Sequence, residues 1–274
     1  MKRFASLIAA AGAVAAISAF GLAGGASGAS SLPTLKVALS GKTGISVSGS
    51  EVSGAVNVVS THTGKGHGSW ALARLNNGVT FQQAFRAVQS HHGDENALTP
   101  YGAVVASSDA PGRVQTVLTA GNYVALNVTG QGKPGFHEFT VTQSSSPAAL
   151  PAAKATQTAI DFRFRGPRVL TAGTMVRAQN KGYLVHMIDL LGVRSRADGM
   201  KAVAALRAGK GQKFFRPLSS GVFVSLLDPA SPGALQQSVL NAKPGYYVEA
   251  CFMDTQDGRE HTRLGMERLV KVVK

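Results

Sequence analysis

The same ordered series of short segments occurs twice in this 274-residue chain, on either side of a stretch suited to joining them. That stretch, residues 144–155, reads Ser-Ser-Ser-Pro-Ala-Ala-Leu-Pro-Ala-Ala-Lys-Ala. It shows neither the period of two of a half-buried strand nor the helical period of 3.6, and its Ser and Pro residues favour an extended linker. Before it, Trp70-Ala71-Leu72 precedes a helix-like segment at residues 79–88; after it, His186-Met187-Ile188 precedes another at 197–206. Pro111-Gly112 then answers Pro232-Gly233, and Gly121-Asn122-Tyr123-Val124 answers Gly245-Tyr246-Tyr247-Val248. Both series end in a strand, Phe139-Thr140-Val141 against Leu269-Val270-Lys271-Val272. No single match is specific, but their common order marks a divergent tandem repeat, so both halves are constrained to one kind of fold.

That fold is predicted to be all-β. The segments between turns are short and rich in Val, Thr, Phe and Tyr, with the alternation of half-buried strands. Gly and Pro punctuate them, as at Gly166-Pro167, Ser231-Pro232-Gly233 and Lys243-Pro244-Gly245. The expected architecture is two tandem Greek-key β-sandwich domains, residues 30–143 and 156–274, each with a short helix. In the second helix, Met200, Val203, Ala204 and Leu206 form the predicted core-facing stripe.

Residues 1–29 read as a signal peptide. Met1-Lys2-Arg3 is followed by an apolar run from Leu7 to about Ala23, and Ser27-Gly28-Ala29 offers a small-residue cleavage site before Ser30. The mature chain is therefore expected to be secreted or extracytoplasmic, in the cell envelope, without a transmembrane segment. Its charge is uneven. Residues 30–155 carry 8 Lys/Arg against 5 Asp/Glu, and residues 156–274 carry 18 against 9. A basic second half suggests an acidic protein or cell-envelope partner, whereas export and the lack of a reader motif argue against nucleic acid. The hydrolase signatures Gly-x-Ser-x-Gly and His-Glu-x-x-His are missing, and no enzyme activity is expected.

Cys251 is the single cysteine and has no partner for an internal disulfide. It is buried, metal-bound or joined to another molecule. Downstream stand His261 and Met266, with Gly265 before the Met, and 65 residues upstream lies His186 on a predicted strand. This order of His, Cys, His and Met resembles that of the cupredoxins, the family of plastocyanin and azurin. The resemblance implies a copper site held by His186, Cys251, His261 and Met266, in which two imidazoles and a thiolate form a trigonal set with the Met as weak axial ligand. It also implies one-electron transfer without substrate turnover. Nine residues separate Cys251 from His261, more than in the family, so this loop must fold back, and Asp257-Gly258 offers the turn. Alternation places Glu249 and Tyr247 on the face of Cys251. By the repeat, Trp70, Asn127 and Phe136 fall at His186, Cys251 and Met266, which leaves the first domain without a ligand set. The alternative is a metal-free cupredoxin-like module that binds through its basic second domain. The clusters His91-His92-Gly93-Asp94-Glu95 and His62 with His67 read as solvated loops.

Overall fold

The computed structural model describes residues 32–130, 132–210 and 215–274. The predicted signal peptide, residues 1–29, lies outside them. In the first half, strands β1 (Thr34–Ser40), β2 (Gly44–Gly49), β3 (Gly54–Thr63) and β6 (Gly112–Leu118) form one layer. Strands β4 (Trp70–Leu75), β5 (Gly102–Ser108), β7 (Gly121–Asn127) and β8 (Gly135–Val141) form the other. Alternation explains how the layers meet: along β1, Leu35, Val37 and Leu39 are buried while Lys36, Ala38 and Ser40 face outward. These residues join Val56, Val58, Trp70, Leu72 and Tyr123 in a core between the sheets. Each fully buried Leu or Val contributes about 1.5–3 kcal/mol.

The second half repeats the two layers. Strands β9 (Ala155–Ile160), β10 (Arg163–Arg165), β12 (Met175–Asn180) and β15 (Leu235–Val239) pack against β11 (Val169–Thr171), β13 (His186–Val193), β14 (Ser219–Ala230), β16 (Gly245–Ala250) and β17 (Glu267–Val273). Leu170, Ile188, Leu190, Leu227, Tyr247 and Met266 lie in its core. The chain is all-β, two sandwiches with a short helix on each. Among the described residues, no helix is long and apolar enough to cross a membrane.

The first helix, α1 (Phe81–Ser90), starts at a capping box in which Thr80 and Gln83 satisfy each other's backbone N–H groups. It lays Phe81 and Ala84 over Ala73, Leu75 and Val124 on the outer face of its sheet. The second, α2 (Arg196–Arg207), is capped by the Ser195 side chain. Its buried face matches the predicted stripe only in part: Leu206 is buried and Val203 packs against the same cluster, but Gly199, Ala202 and Ala205 complete the inward face while Ala204 is exposed and Met200 is 49% exposed. Close approach is the reason. A Cβ on Gly199 would stand 2.3 Å from Leu269 Cδ1, so the helix comes closest to β17 at Gly199, and the larger Met200 next to it turns away.

The halves are joined by more than the linker. Strand β15 pairs antiparallel with β6 through Gln236 opposite Thr116 and Gln237 opposite Gln115, which fuses one layer of each half into an eight-stranded sheet. Thr116 Oγ1 donates to Leu235 O at 2.7 Å, and Gln237 Nε2 donates to Gln115 Oε1 at 2.9 Å. Nearby, Val104 N–H donates to Ser231 Oγ and Ser231 N–H returns a bond to Val104 O. The intervening chain is also tied down, with Ala148 O accepting from Ala55 N–H and Lys154 N–H donating to Met175 O, both at 2.8 Å.

Candidate metal centre

Three backbone devices bring distant residues together. Strand β13 begins at His186. At the end of β16, Cys251 N–H donates to Met266 O at 3.1 Å, extending the ladder with β17 by one step. Between these two, the long loop folds back as a small hairpin: His261 N–H donates to Met253 O at 2.8 Å, Asp254 bridges Glu260, and Thr255 N–H donates to Arg259 O. Gly258, at φ 78°, makes the turn that the Asp257-Gly258 pair predicts. A 3-10 turn, His261–Leu264, then ends in Gly265 at φ 114°, where a Cβ would meet Phe162 O at 2.8 Å.

The result is that His186, Cys251 and His261 converge, each with 0% exposure. Their ligand atoms all lie within 4.8 Å of one another. The two Nδ1 atoms are 3.1 Å apart, and Cys251 Sγ is 3.8 Å from His186 Nδ1 and 3.3 Å from His261 Nδ1. A trigonal metal with bonds of about 2.0 Å to nitrogen and about 2.3 Å to sulfur would set these separations near 3.5 and 3.7 Å, so the donors stand within about 0.4 Å of that arrangement. The donor set fits copper, because two imidazoles and a thiolate in a trigonal plane suit its two oxidation states.

The surroundings orient these donors. His186 Nε2 donates to Asp161 Oδ1 at 2.9 Å, which leaves Nδ1 as a lone pair facing the sulfur. Asp161 is itself fixed by the backbone N–H groups of Tyr183 and Leu184. A Cβ on Gly182 would fall 2.4 Å from Asp161 Oδ1 and 2.7 Å from His186 Nε2, so only glycine leaves room for this pair. Met187 N–H donates to Cys251 Sγ at 3.4 Å, a contact that favours thiolate. The other face of His261 is apolar: its ring meets Phe162 edge-on at 5.8 Å, and Nε2 is buried without a hydrogen-bond partner.

Burial also sets the proton states. It pulls His261 down to about 4, with His186 adding to the effect, and it lowers His186 despite the opposing Asp161 carboxylate. Both rings are therefore neutral near pH 7. Burial pushes the Cys251 thiol up to about 12, so a metal entering here must displace its proton.

Met266, the fourth predicted ligand, is 0% exposed and packs in the same apolar cluster as Cys251, Met187 and Met253. Glu249 does lie on the inner face, but its charge is taken up by Arg268 across the ladder, and Arg268 Nη2 also donates to Gln157 Oε1 at 2.9 Å. In the first half, Trp70 and Asn127 pair across β4 and β7 and are both buried, while Phe136 packs tilted against Phe81. Asn127 Nδ2 donates to Gly44 O at 2.8 Å, a structural bond at the place that Cys251 takes in the second half by the repeat. Sequence reasoning missed Asp161, Met187 and Gly182. Of these only Met187 carried a signal, its place beside His186.

No family model and no curated protein matches the chain. It is similar to the solved structure of auracyanin from Roseiflexus castenholzii at 17% identity, over 45% of this chain and 100% of that one, with a TM-score of 0.26. It is also similar to a copper-containing nitrite reductase from Thermus scotoductus SA-01 at 11% identity, over 88% of this chain and 67% of that one, at a TM-score of 0.25. A multicopper oxidase from Campylobacter jejuni matches at 10% identity, over 87% and 55%, at 0.23. The sequence expectation of no enzyme activity is corrected by these similarities, because the nitrite reductase and the multicopper oxidase, each matched over most of this chain, are enzymes.

Proposed function

We propose that this chain is an exported copper-binding, electron-transfer protein of cupredoxin type, with its metal in the second half. The observation that supports this reading is the convergence of two neutral imidazole nitrogens and one thiol in a buried cluster. Bound copper supplies a one-electron couple. The chain does the rest. His186, Cys251 and His261 would hold the ion, with Met266 as a weaker fourth ligand. Asp161 keeps Nδ1 of His186 free, the Met187 amide stabilises thiolate, and the hairpin between Cys251 and His261 closes the cluster. The first half carries no ligand set and derives with the second from one duplicated ancestor. The leader at residues 1–29 delivers the chain outside the cytoplasm, where its basic second half meets an acidic surface.

The test is a copper titration of fully reduced protein at neutral pH. One equivalent is expected to bind with an intense visible thiolate-to-copper band. Cys251→Ala removes the band, and Met266→Leu retains copper with a shifted potential. Absence of both stoichiometric binding and a Cys251-dependent band overturns the reading in favour of a metal-free module.

A further inference from the structure

The segment His91-His92-Gly93-Asp94-Glu95, a solvated loop by its sequence, does not end in solvent. It leads into a 3-10 turn, Glu95–Leu98, where Asn96 is 7% exposed. Asp94 Oδ1 accepts from the Asn96 backbone N–H at 2.9 Å and from Asn96 Nδ2 at 2.8 Å. The second of these bonds fixes which end of the amide is nitrogen. Asn96 Oδ1 is thereby left to accept from Val185 N–H, at 2.7 Å. Val185 belongs to the other half, 89 residues along the chain, and immediately precedes the ligand His186.

The second half holds this segment from its own side. Asn180 Nδ2 donates to Leu184 O at 2.7 Å, and Asp161 accepts from Leu184 N–H at 3.2 Å. Val185 is 1% exposed, and its amide has its acceptor on the first half. A buried N–H group is paired in nearly all native structures because its desolvation is otherwise uncompensated. Without Asn96 Oδ1, residue 185 must either keep an orphaned donor or shift. A shift there moves His186 relative to Cys251 Sγ.

We infer that Asn96 is a positioning residue for the metal centre, and that the half without ligands serves the centre of the other by supplying it. The inference rests on the metal-binding reading, and its test separates the two. Full-length, reduced Asn96→Ala is compared with Asn127→Ala, which removes a buried Asn confined to the first half. In metal-free protein, a soluble aromatic disulfide should modify Cys251 at least tenfold faster in Asn96→Ala than in Asn127→Ala. In copper-loaded protein, Asn96→Ala should shift the visible band and the reduction potential, and Asn127→Ala should leave both at their wild-type values. Should Asn96→Ala not fold, Asn96→Ser is read by the same criteria. A wild-type rate of thiol modification in the folded Asn96 variant overturns the proposal, as does an equal rate in the Asn127 variant. If the wild-type chain binds no copper, the metal reading falls and the thiol comparison alone decides the role of Asn96.

Discussion

Replacing Asp228 by Asn should stabilise the protein, and by an amount that grows with pH. Asp228 is 2% exposed on β14 and accepts from Asp109 N–H at 3.1 Å through Oδ2, while Oδ1 has no partner. Asp109, Asp189 and Ser225 complete its polar surroundings. Burial, followed by the charge of Asp109, raises its pKa from 3.8 to about 8. Asp189 is raised as well, by burial and by Asp228. Because the folded-state pKa is raised, the native chain keeps a proton that the unfolded chain releases above pH 3.8, so stability is lost as pH rises from there to about 8. At pH 7 that gap amounts to about 4 kcal/mol at 1.36 kcal/mol per unit. Asn keeps an acceptor for Asp109 N–H and has no proton to lose. Urea unfolding of the reduced, metal-free chain at pH 4, 5.5 and 7 should show a difference between variant and wild type of less than about 1 kcal/mol at pH 4, widening to about 4 kcal/mol at pH 7. A difference that stays constant with pH, or a variant that is less stable at pH 7 than at pH 4 relative to wild type, refutes the reasoning.

Asp161→Asn should weaken copper affinity by about 10–100-fold, because a buffered His186 ring loses its anionic partner; competition titration against a chelator measures it, and unchanged affinity counts against the role given to Asp161. Arg268→Met leaves Glu249 buried without a counter-charge and should cost about 3–5 kcal/mol in urea unfolding. The double variant with Glu249→Leu should recover much of that loss. Binding of the full chain to an acidic polymer should weaken between low and physiological salt, where charges are screened beyond about 8 Å; salt-independent retention on the same polymer would exclude the basic second half as its cause.

The convergence of His186, Cys251 and His261 was legible in the sequence because their types and order resemble those of the cupredoxins. The fold-back at Asp257-Gly258 was legible for a similar reason, since a nine-residue gap can close only through a turn. What could not be read depends on register and on contacts between distant segments. Alternation correctly put Glu249 on the inner face, but its partner Arg268 becomes evident only once residue 249 is known to stand opposite 268. Asp161 reaches His186 from a turn 25 residues earlier, and Asn96 reaches Val185 from the other half. The stripe on α2 holds at Val203 and Leu206 but not at Met200, because hydrophobicity favours Met200 inside whereas the close approach to Leu269 is made at Gly199.

The pairing of β15 with β6 also settles where unpaired backbone can be found. An open sheet edge is a template for other chains, and natural proteins shorten or charge such edges. In the fused sheet the outermost strands are β10 and β2. Strand β10 is only three residues long and turns Arg163 and Arg165 outward, both features that discourage addition of a further strand. Strands β6 and β15 have no such protection, since each is covered by the other. Cutting the chain at its linker would therefore produce two halves that each present a fresh, unguarded edge, and self-association of the fragments is the outcome this architecture prepares for.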